Sequence, residues 1–267
     1  MNTSIVGEKL IICSGMKRSG STLQFNIVRA LLAANSIDFE NLKYLPGDQL
    51  GLLAKSRQLG KPALLKCHEL ENVVSLDLPK IILYTVRDPR DAYLSAKLKW
   101  NKDIGDLPEI VDAFVCSYRL ASRTEGVLIQ RYEELFGNER EAIETVGQFL
   151  GLNSNQSVKD SILNEVSVES VRAGLATRML VAARNRFRPI LVNYPIAKKM
   201  SWPLRVGYSF WNHRRLAKSK TQLHIDHISR NNGQIGMWES QLESAELDMF
   251  ANKYASVIEE MGYRNCK

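Results

Sequence analysis

The sequence lacks the features that membrane-spanning, exported or disulfide-bonded proteins require. It has no run of about 18 uncharged apolar residues, the length that a transmembrane helix needs. Its N-terminus differs from an export signal, because Glu8 and Lys9 interrupt it and the apolar run 10–13 is short. The four cysteines have neither disulfide-framework nor zinc-site spacing: Cys13, Cys67, Cys116 and Cys266. We therefore expect a cytoplasmic protein with reduced thiols and no membrane span.

Charge is distributed unevenly along the chain. The 267 residues carry a net charge of +7. Because 45% of them are hydrophobic, a chain of this length can form one core without disulfides or a structural metal. Residues 170–230 hold thirteen Lys or Arg against the single acid Asp226, so the rest of the chain is net acidic. This favours a local anion-binding surface over nucleic-acid binding, although a solvated basic face fits equally well. We predict a single domain, 1–267, with 170–235 as a basic acceptor or cap region.

Strand and helix patterns alternate through the first 150 residues. Apolar runs predict strands at 9–14, 62–68, 80–86 and 127–132. Amphipathic segments predict helices at 22–34, 47–58, 89–100, 110–125 and 138–150, followed by 155–185 and 243–261. Residues 186–222 lack a clear pattern. Such alternation predicts an α/β fold in which helices flank a central parallel sheet, with ligands at the carboxyl ends of the strands.

A glycine-containing turn joins the first strand to the first helix. Gly15 and Gly20 allow the backbone amides of the turn and the helix N-terminus to surround an anion. Hydroxyls and cations of the same turn add donors: Lys17, Arg18, Ser19, Ser21 and Thr22. The loop of nucleotide hydrolases has lysine directly after the second glycine, where this chain has Ser21. The turn is therefore P-loop-like without the usual Mg²⁺ arrangement; a purely structural turn is the alternative.

Two further strand ends carry candidate residues. Arg87 ends a strand, and Ser95 follows it two turns into a helix that Asp88 caps and Pro89 starts, which suits a phosphate contact. An ordinary ion pair of Arg87 with a nearby acid is the alternative. Lys66 and His68 share one face of their strand, so histidine could take a proton beside a stabilising cation. A structural histidine is the commoner case.

A loop with two glycines follows the basic segment. Gly233 and Gly236 permit a backbone that folds over a ligand, and a plain loop leading into a helix is the alternative.

In this order and spacing, the motifs resemble the PAPS-dependent sulfotransferase family, both its cytosolic small-molecule type and its bacterial relatives. PAPS is 3′-phosphoadenosine 5′-phosphosulfate, and PAP is the product left after sulfuryl transfer. The turn Lys17 to Thr22 is similar to the family's 5′-phosphosulfate loop, with Arg18 in place of its lysine. The resemblance implies that His68 is the catalytic base and that Lys66 and Arg18 assist at the sulfuryl group.

The resemblance also implies the remaining nucleotide contacts. It assigns Arg87 and Ser95 to the 3′-phosphate, and Tyr132 and Ser167 to the adenine. It places a second 3′-phosphate contact at Arg230, Asn231, Asn232 and Gly233, where cytosolic members have a basic pair before the glycine. The implied fold is the sulfotransferase fold, and the implied reaction moves a sulfuryl group from PAPS to a hydroxyl or amine. The expected acceptor is a small molecule, a specialised metabolite being one candidate, and no metal is required.

Two other functions share part of these motifs. A small-molecule kinase would use the glycine turn, but it predicts lysine at position 21 and a carboxylate for Mg²⁺. A non-catalytic module binding polyanions or membranes would use the basic segment and would not need His68. Nothing in the sequence supports a homo-oligomer or a nucleic-acid partner.

Overall fold

The computed structural model describes residues 5–56, 60–166 and 234–264, without the side chains of 54–56. Contacts divide the chain into two units, Met1–Leu163 with Ser229–Lys267, and Asn164–Ile228. The described residues do not include the predicted cap region up to residue 233, which contains Arg230, Asn231, Asn232 and Gly233. They do not include Ser167 or Cys266 either. The single-domain assignment stays a prediction. No helix in the described ranges is long and apolar enough to cross a bilayer.

Five parallel strands form the sheet, in the order β2-β3-β1-β4-β5. Their bounds are β1 Leu10–Gly15, β2 Glu40–Tyr44, β3 Ala63–Lys66, β4 Lys80–Val86 and β5 Val127–Arg131. The central strand β1 is buried at every residue and pairs with β3 on one side and β4 on the other. Its sequence is correspondingly apolar without alternation, as in parallel strands covered on both faces. The predicted parallel sheet flanked by helices is confirmed.

The helices alternate with these strands. Their bounds are α1 Ser21–Ala34, α2 Gly47–Ser56, α3 Leu70–Val74, α4 Pro89–Trp100, α5 Leu107–Arg123, α6 Tyr132–Gly137, α7 Glu139–Leu150 and α8 Gln156–Val166. The described residues 234–264 form three short helices, Trp238–Gln241, Ser244–Met249 and Ala255–Glu260, with a π-helical turn Phe250–Tyr254 before the last. The single helix predicted over 243–261 is therefore interrupted. Asp88 starts α4 as predicted by accepting a hydrogen bond from the Arg90 amide at 2.9 Å.

The edge strand β2 is absent from the sequence prediction. Its residues Glu40 to Tyr44 are polar and partly exposed, so they lack the apolar alternation of a half-buried strand. The pairing with β3 shifts register between Asn41 and Lys43, and Lys43 has a positive φ of 61°. Such an irregular, charged edge is typical of how sheets avoid pairing with other chains.

The strand order fixes where a ligand can bind. The chain leaves β1 toward β2 and β3 on one side and then crosses to β4 and β5 on the other. A crevice opens at the carboxyl end of the strand where this direction reverses. Buried apolar side chains on both faces hold this edge in place, among them Ile12, Phe25 and Tyr84; each stabilises the fold by roughly 1.5–3 kcal/mol.

Candidate active site

The turn between β1 and α1 depends on its two glycines for different reasons. A Cβ on Gly15 would lie 2.0 Å from Thr85 Oγ1 and 2.8 Å from the Thr85 carbonyl oxygen, so only glycine fits there. Gly20 precedes α1 with a φ of 90°, a left-handed conformation that glycine adopts without strain. Gly20 has no side chain with which to cap α1. The positive end of α1 therefore follows directly on this turn.

Replacing Gly15 by Ala should therefore destabilise the fold. The clash with Thr85 and the positive φ of Gly15 should together lower the free energy of unfolding by about 2–4 kcal/mol. This free energy is measured by urea denaturation. Gly51→Ala is the matched control, because Gly51 lies in α2 with nothing within 4 Å of the added Cβ. That variant should gain about 0.5–1 kcal/mol. Equal stability of the two variants would contradict the role given to Gly15.

Ser19 holds the turn against β4. Its hydroxyl lies 2.6 Å from Thr85 Oγ1 and 2.6 Å from the Met16 carbonyl oxygen, and the side chain is fully buried. Its amide donates to the same Met16 carbonyl at 3.2 Å. Both polar groups of Ser19 thus contact protein, which gives the residue a structural place in the turn. Its predicted contact with the nucleotide stays a prediction.

His68 lies directly after β3, with its ring half-buried beside the turn. Its Nδ1 is 2.8 Å from the Gly15 carbonyl oxygen. A carbonyl only accepts hydrogen bonds, so Nδ1 carries the proton and Nε2 of the neutral ring keeps a lone pair. Backbone geometry at the end of β1 thereby fixes the tautomer that a general base needs.

Lys66 places a buried cation next to this base. It is 5% exposed, and its Nζ donates to Thr22 Oγ1 in the first turn of α1 at 2.6 Å. Burial, together with the positive charges of Lys99 and Arg18, lowers the pKa of Lys66 to about 8. Burial and the charge of Lys66 lower the pKa of His68 to about 4. At neutral pH the pair is therefore a neutral histidine and a largely charged lysine.

Arg87 lies at the end of β4 with its side chain 4% exposed. Its Nη1 donates to the Arg18 carbonyl oxygen at 3.4 Å and its Nη2 to the Gln234 carbonyl oxygen at 3.0 Å. The guanidinium lies 3.9 Å from the centroid of the Tyr132 ring, and Nη2 lies 3.7 Å from Asp91 Oδ2. Its Nε is buried with no hydrogen-bond partner among the described residues. Arg87 thus pairs with an acid, Asp91, as the alternative interpretation expected. Its Nε nevertheless remains available to another acceptor.

The side chain of Arg18 points toward Ser95. Its Nε donates to Ser95 Oγ at 2.9 Å, and its backbone has a positive φ of 72°. Burial lowers the pKa of Arg18, and the like charge of Arg87 lowers it further. Arg18 thus links the two residues, since its side chain contacts Ser95 and its carbonyl oxygen accepts a hydrogen bond from Arg87. A contact of Arg18 with a phosphosulfate would require the side chain to turn away from Ser95.

Tyr132 packs tightly in this part of the site. Its ring stacks on Phe136 with centroids 4.3 Å apart, while Arg87 covers it at 3.9 Å. Burial raises the pKa of the Tyr132 hydroxyl. The ring supports Arg87 directly; its predicted adenine contact stays a prediction.

Asp88, Arg90 and Asp91 also lie in this part of the structure, and the sequence analysis gave them no role beyond the Asp88 cap. Arg90 donates to the two Asp88 oxygens at 2.9 and 2.6 Å, to the Arg264 carbonyl oxygen at 2.7 Å, and lies 3.7 Å over the Trp238 ring. Asp91 accepts hydrogen bonds from backbone amides near Trp238. The spacing of four residues between Arg87 and Asp91 on a helix start was the available signal.

The structure brings most of the predicted residues to one edge of the sheet. The turn contacts both candidate clusters, since the Gly15 carbonyl meets His68 and the Arg18 carbonyl meets Arg87. Ser21 and Thr22 are buried in the first turn of α1, and Lys17 is exposed. No group of three or more His, Cys, Asp or Glu side chains in the described part of the chain could hold a metal.

These features define an α/β protein of P-loop-like construction, with a glycine-containing turn beside a neutral histidine. A family model described as "Sulfotransferase domain" matches residues 8–184, more than half of the chain. The protein belongs to the sulfotransferase family, which confirms the resemblance drawn from its motifs.

Solved structures with a similar fold include two kinds of protein. A mouse sulfotransferase complexed with PAP is 17% identical, with a TM-score of 0.45, and the match covers 61% of this chain and 64% of that one. The match thus spans just under two thirds of the mouse protein. A retinol dehydratase in complex with androsterone and inactive cofactor PAP is 14% identical, with a TM-score of 0.48 and coverage of 81% and 82%. None of the curated proteins matches the sequence.

Proposed function

We propose that the protein transfers the sulfuryl group of PAPS to a hydroxyl or amine of a small-molecule acceptor and releases PAP. The observation that carries this proposal is the His68 ring, whose Nδ1–H donates to Gly15 while Nε2 keeps its lone pair. A base held in this way beside an anion-binding turn is what an acceptor hydroxyl requires for deprotonation.

The phosphosulfate fits at the start of α1. The backbone amides of the turn and the positive end of the helix favour an anion there, and Lys66 adds a cation through its contact with Thr22. The first turn of α1 contains no acidic residue that would repel the ligand.

The proposal places the 3′-phosphate between Arg87 and Ser95, next to Arg18, which donates to Ser95. Arg87 keeps a buried Nε donor without a partner among the residues that the structure describes, and a phosphate oxygen would satisfy it. The Ser95 hydroxyl, now the acceptor from Arg18, can donate to the same phosphate. The nucleotide would therefore bind across both clusters that the turn contacts.

The chemistry follows from these positions. Nε2 of His68 takes the acceptor proton as the acceptor oxygen or nitrogen bonds to sulfur, and the bond from sulfur to the bridging phosphate oxygen breaks. The electron pair stays on that oxygen, where Lys66 and the turn amides stabilise the negative charge. A sulfuryl group carries less charge than a phosphoryl group, so fixed cations suffice and a metal is dispensable.

The pH dependence of kcat/KM for PAPS should show two limbs. His68 acts only when neutral, and its pKa is lowered to about 4, so activity is lost as the pH falls through about 4. Lys66 acts only when charged, and its pKa is lowered to about 8, so activity declines as the pH rises through about 8. In Lys66→Arg, whose side chain stays charged, the alkaline limb should move upward. Identical alkaline limbs in both proteins would remove Lys66 from the reaction.

Turnover measured directly tests the proposal. Purified protein is incubated with PAPS and EDTA, together with a panel of phenols, aliphatic alcohols and amines, and PAP formation is followed. We expect acceptor-dependent PAP release without a divalent metal. Acceptor-dependent conversion of ATP to ADP with Mg²⁺, and none of PAPS to PAP, would establish the kinase alternative instead.

A further inference from the structure

Asp91 is a buried carboxylate in the first turn of α4 whose contacts lead away from its own helix. Its side chain is 1% exposed. Oδ2 accepts a hydrogen bond from the Gly236 amide at 2.7 Å, and Oδ1 accepts one from the Trp238 amide at 3.2 Å. Both donors belong to the five-residue segment 234–238, which we call the 234–238 turn.

Arg87 contacts the same turn as a hydrogen-bond donor, whereas Asp91 contacts it as an acceptor. Its Nη2 donates to the Gln234 carbonyl oxygen at 3.0 Å and lies 3.7 Å from Asp91 Oδ2. The cation thus holds a carbonyl and the carboxylate holds two amides of one backbone segment. Gly236 has a φ of 75°, a left-handed conformation that brings its amide to Asp91.

Electrostatics make these contacts depend on one another. Burial raises the pKa of Asp91, while Arg87 and the amides of Gly236 and Trp238 lower it. A buried charge is stable only when such partners remain in place. Removing the carboxylate would leave the two backbone amides without their acceptor and Arg87 without the anion 3.7 Å from its Nη2. The 234–238 turn and Arg87 would then both be held less firmly.

We propose that Asp91 is a positioning residue that docks the 234–238 turn against Arg87 and thereby holds the Arg87 guanidinium in place for the 3′-phosphate. This rests on the proposed function, because it assigns a 3′-phosphate to Arg87. Asp91 itself does not contact the nucleotide. Its carboxylate contacts Nη2 of Arg87 and the two amides of the 234–238 turn. The buried Nε of Arg87 therefore remains available to another acceptor.

A second contact keeps the segment attached when Asp91 is changed. Arg90 lies 3.7 Å over the Trp238 ring and donates to the Arg264 carbonyl oxygen at 2.7 Å, and neither contact involves Asp91. We therefore expect Asp91→Asn to fold with the C-terminal segment in place but with a loosened 234–238 turn.

The test separates the two phosphates of the nucleotide. Dissociation constants for PAP, 3′-AMP and 5′-AMP are measured by calorimetry on the wild type, Asp91→Asn and Glu239→Gln. Glu239 is exposed in the same segment, so its variant removes an equal charge without touching Arg87. Asp91→Asn should weaken PAP and 3′-AMP by roughly tenfold and change 5′-AMP by less than about twofold. Glu239→Gln should change all three by less than about twofold.

Each outcome decides between a positioning role and a merely structural one. If Asp91→Asn weakens all three ligands equally, or none of them, the inference is overturned while a preference of the wild type for PAP over 5′-AMP still supports the proposed function. A wild type without that preference overturns the proposed function and the inference with it. Should Asp91→Asn not fold, Asp91→Ser serves instead, because its hydroxyl accepts one amide without presenting an NH₂ group to the other.

Discussion

Replacing His68 by Ala should lower turnover by roughly 100-fold or more while PAP affinity stays nearly unchanged. The variant removes the Nε2 lone pair that takes the acceptor proton. The turn between β1 and α1 remains, because Ser19 ties it to Thr85 and to the Met16 carbonyl oxygen without the imidazole. Turnover is measured as PAP formation at saturating PAPS, and affinity by calorimetry with PAP.

His68→Gln is the matched control for this prediction. Its amide can still donate to the Gly15 carbonyl oxygen, which preserves the local hydrogen bond, but it offers no basic nitrogen. We expect Gln to be as inactive as Ala and closer to the wild type in stability. Full turnover in either variant would contradict the assignment of His68 as base.

Replacing Arg87 by Ala should weaken PAP binding by about 1.5–3 kcal/mol, roughly a 10- to 150-fold rise in Kd. A guanidinium buried to this extent gives a charge-assisted contact that water does not screen. The loss should follow the 3′-phosphate, so binding of 5′-AMP should change little. Both constants are measured by calorimetry under one ionic strength.

Arg87→Lys shows whether geometry as well as charge matters. Lysine keeps the positive charge but lacks the planar fork and its Nε donor, so PAP affinity should lie between those of wild type and Arg87→Ala. The 5′-AMP constant serves as the internal control, since Arg87 also packs on Tyr132 and a damaged fold would weaken both ligands. Unchanged PAP affinity in Arg87→Ala would contradict the 3′-phosphate site.

The central elements of the fold are predictable from local sequence. The strand at 80–86 is a continuous apolar run, and Asp88 with Pro89 starts the next helix, so both were predicted at their observed bounds. The strand β2 was missed because its polar residues, such as Lys43, are fixed by pairing with β3 and not by their own pattern. The π-helical turn at Phe250 likewise depends on packing against the rest of the core.

The site likewise has a part that the sequence predicts and a part that it does not. Strand periodicity placed Lys66 and His68 together, and glycine spacing located the anion-binding turn. The partners of the turn's side chains were not predictable, because Ser19 binds Thr85 across 66 residues of sequence and Arg18 binds Ser95 across 77. The contacts of Asp91 with the 234–238 turn lie 145 residues apart or more, so only the folded chain reveals them.

The measurement that tests the central claim most directly is a calorimetric titration of the protein with PAP and, separately, with ADP, both without Mg²⁺. The two nucleotides differ because PAP has the 3′-phosphate and lacks the β-phosphate. The account predicts tight binding of PAP and much weaker binding of ADP, since it assigns Arg87 and Ser95 to the 3′-phosphate alone. Equal binding of the two nucleotides, or no binding of PAP, would contradict it.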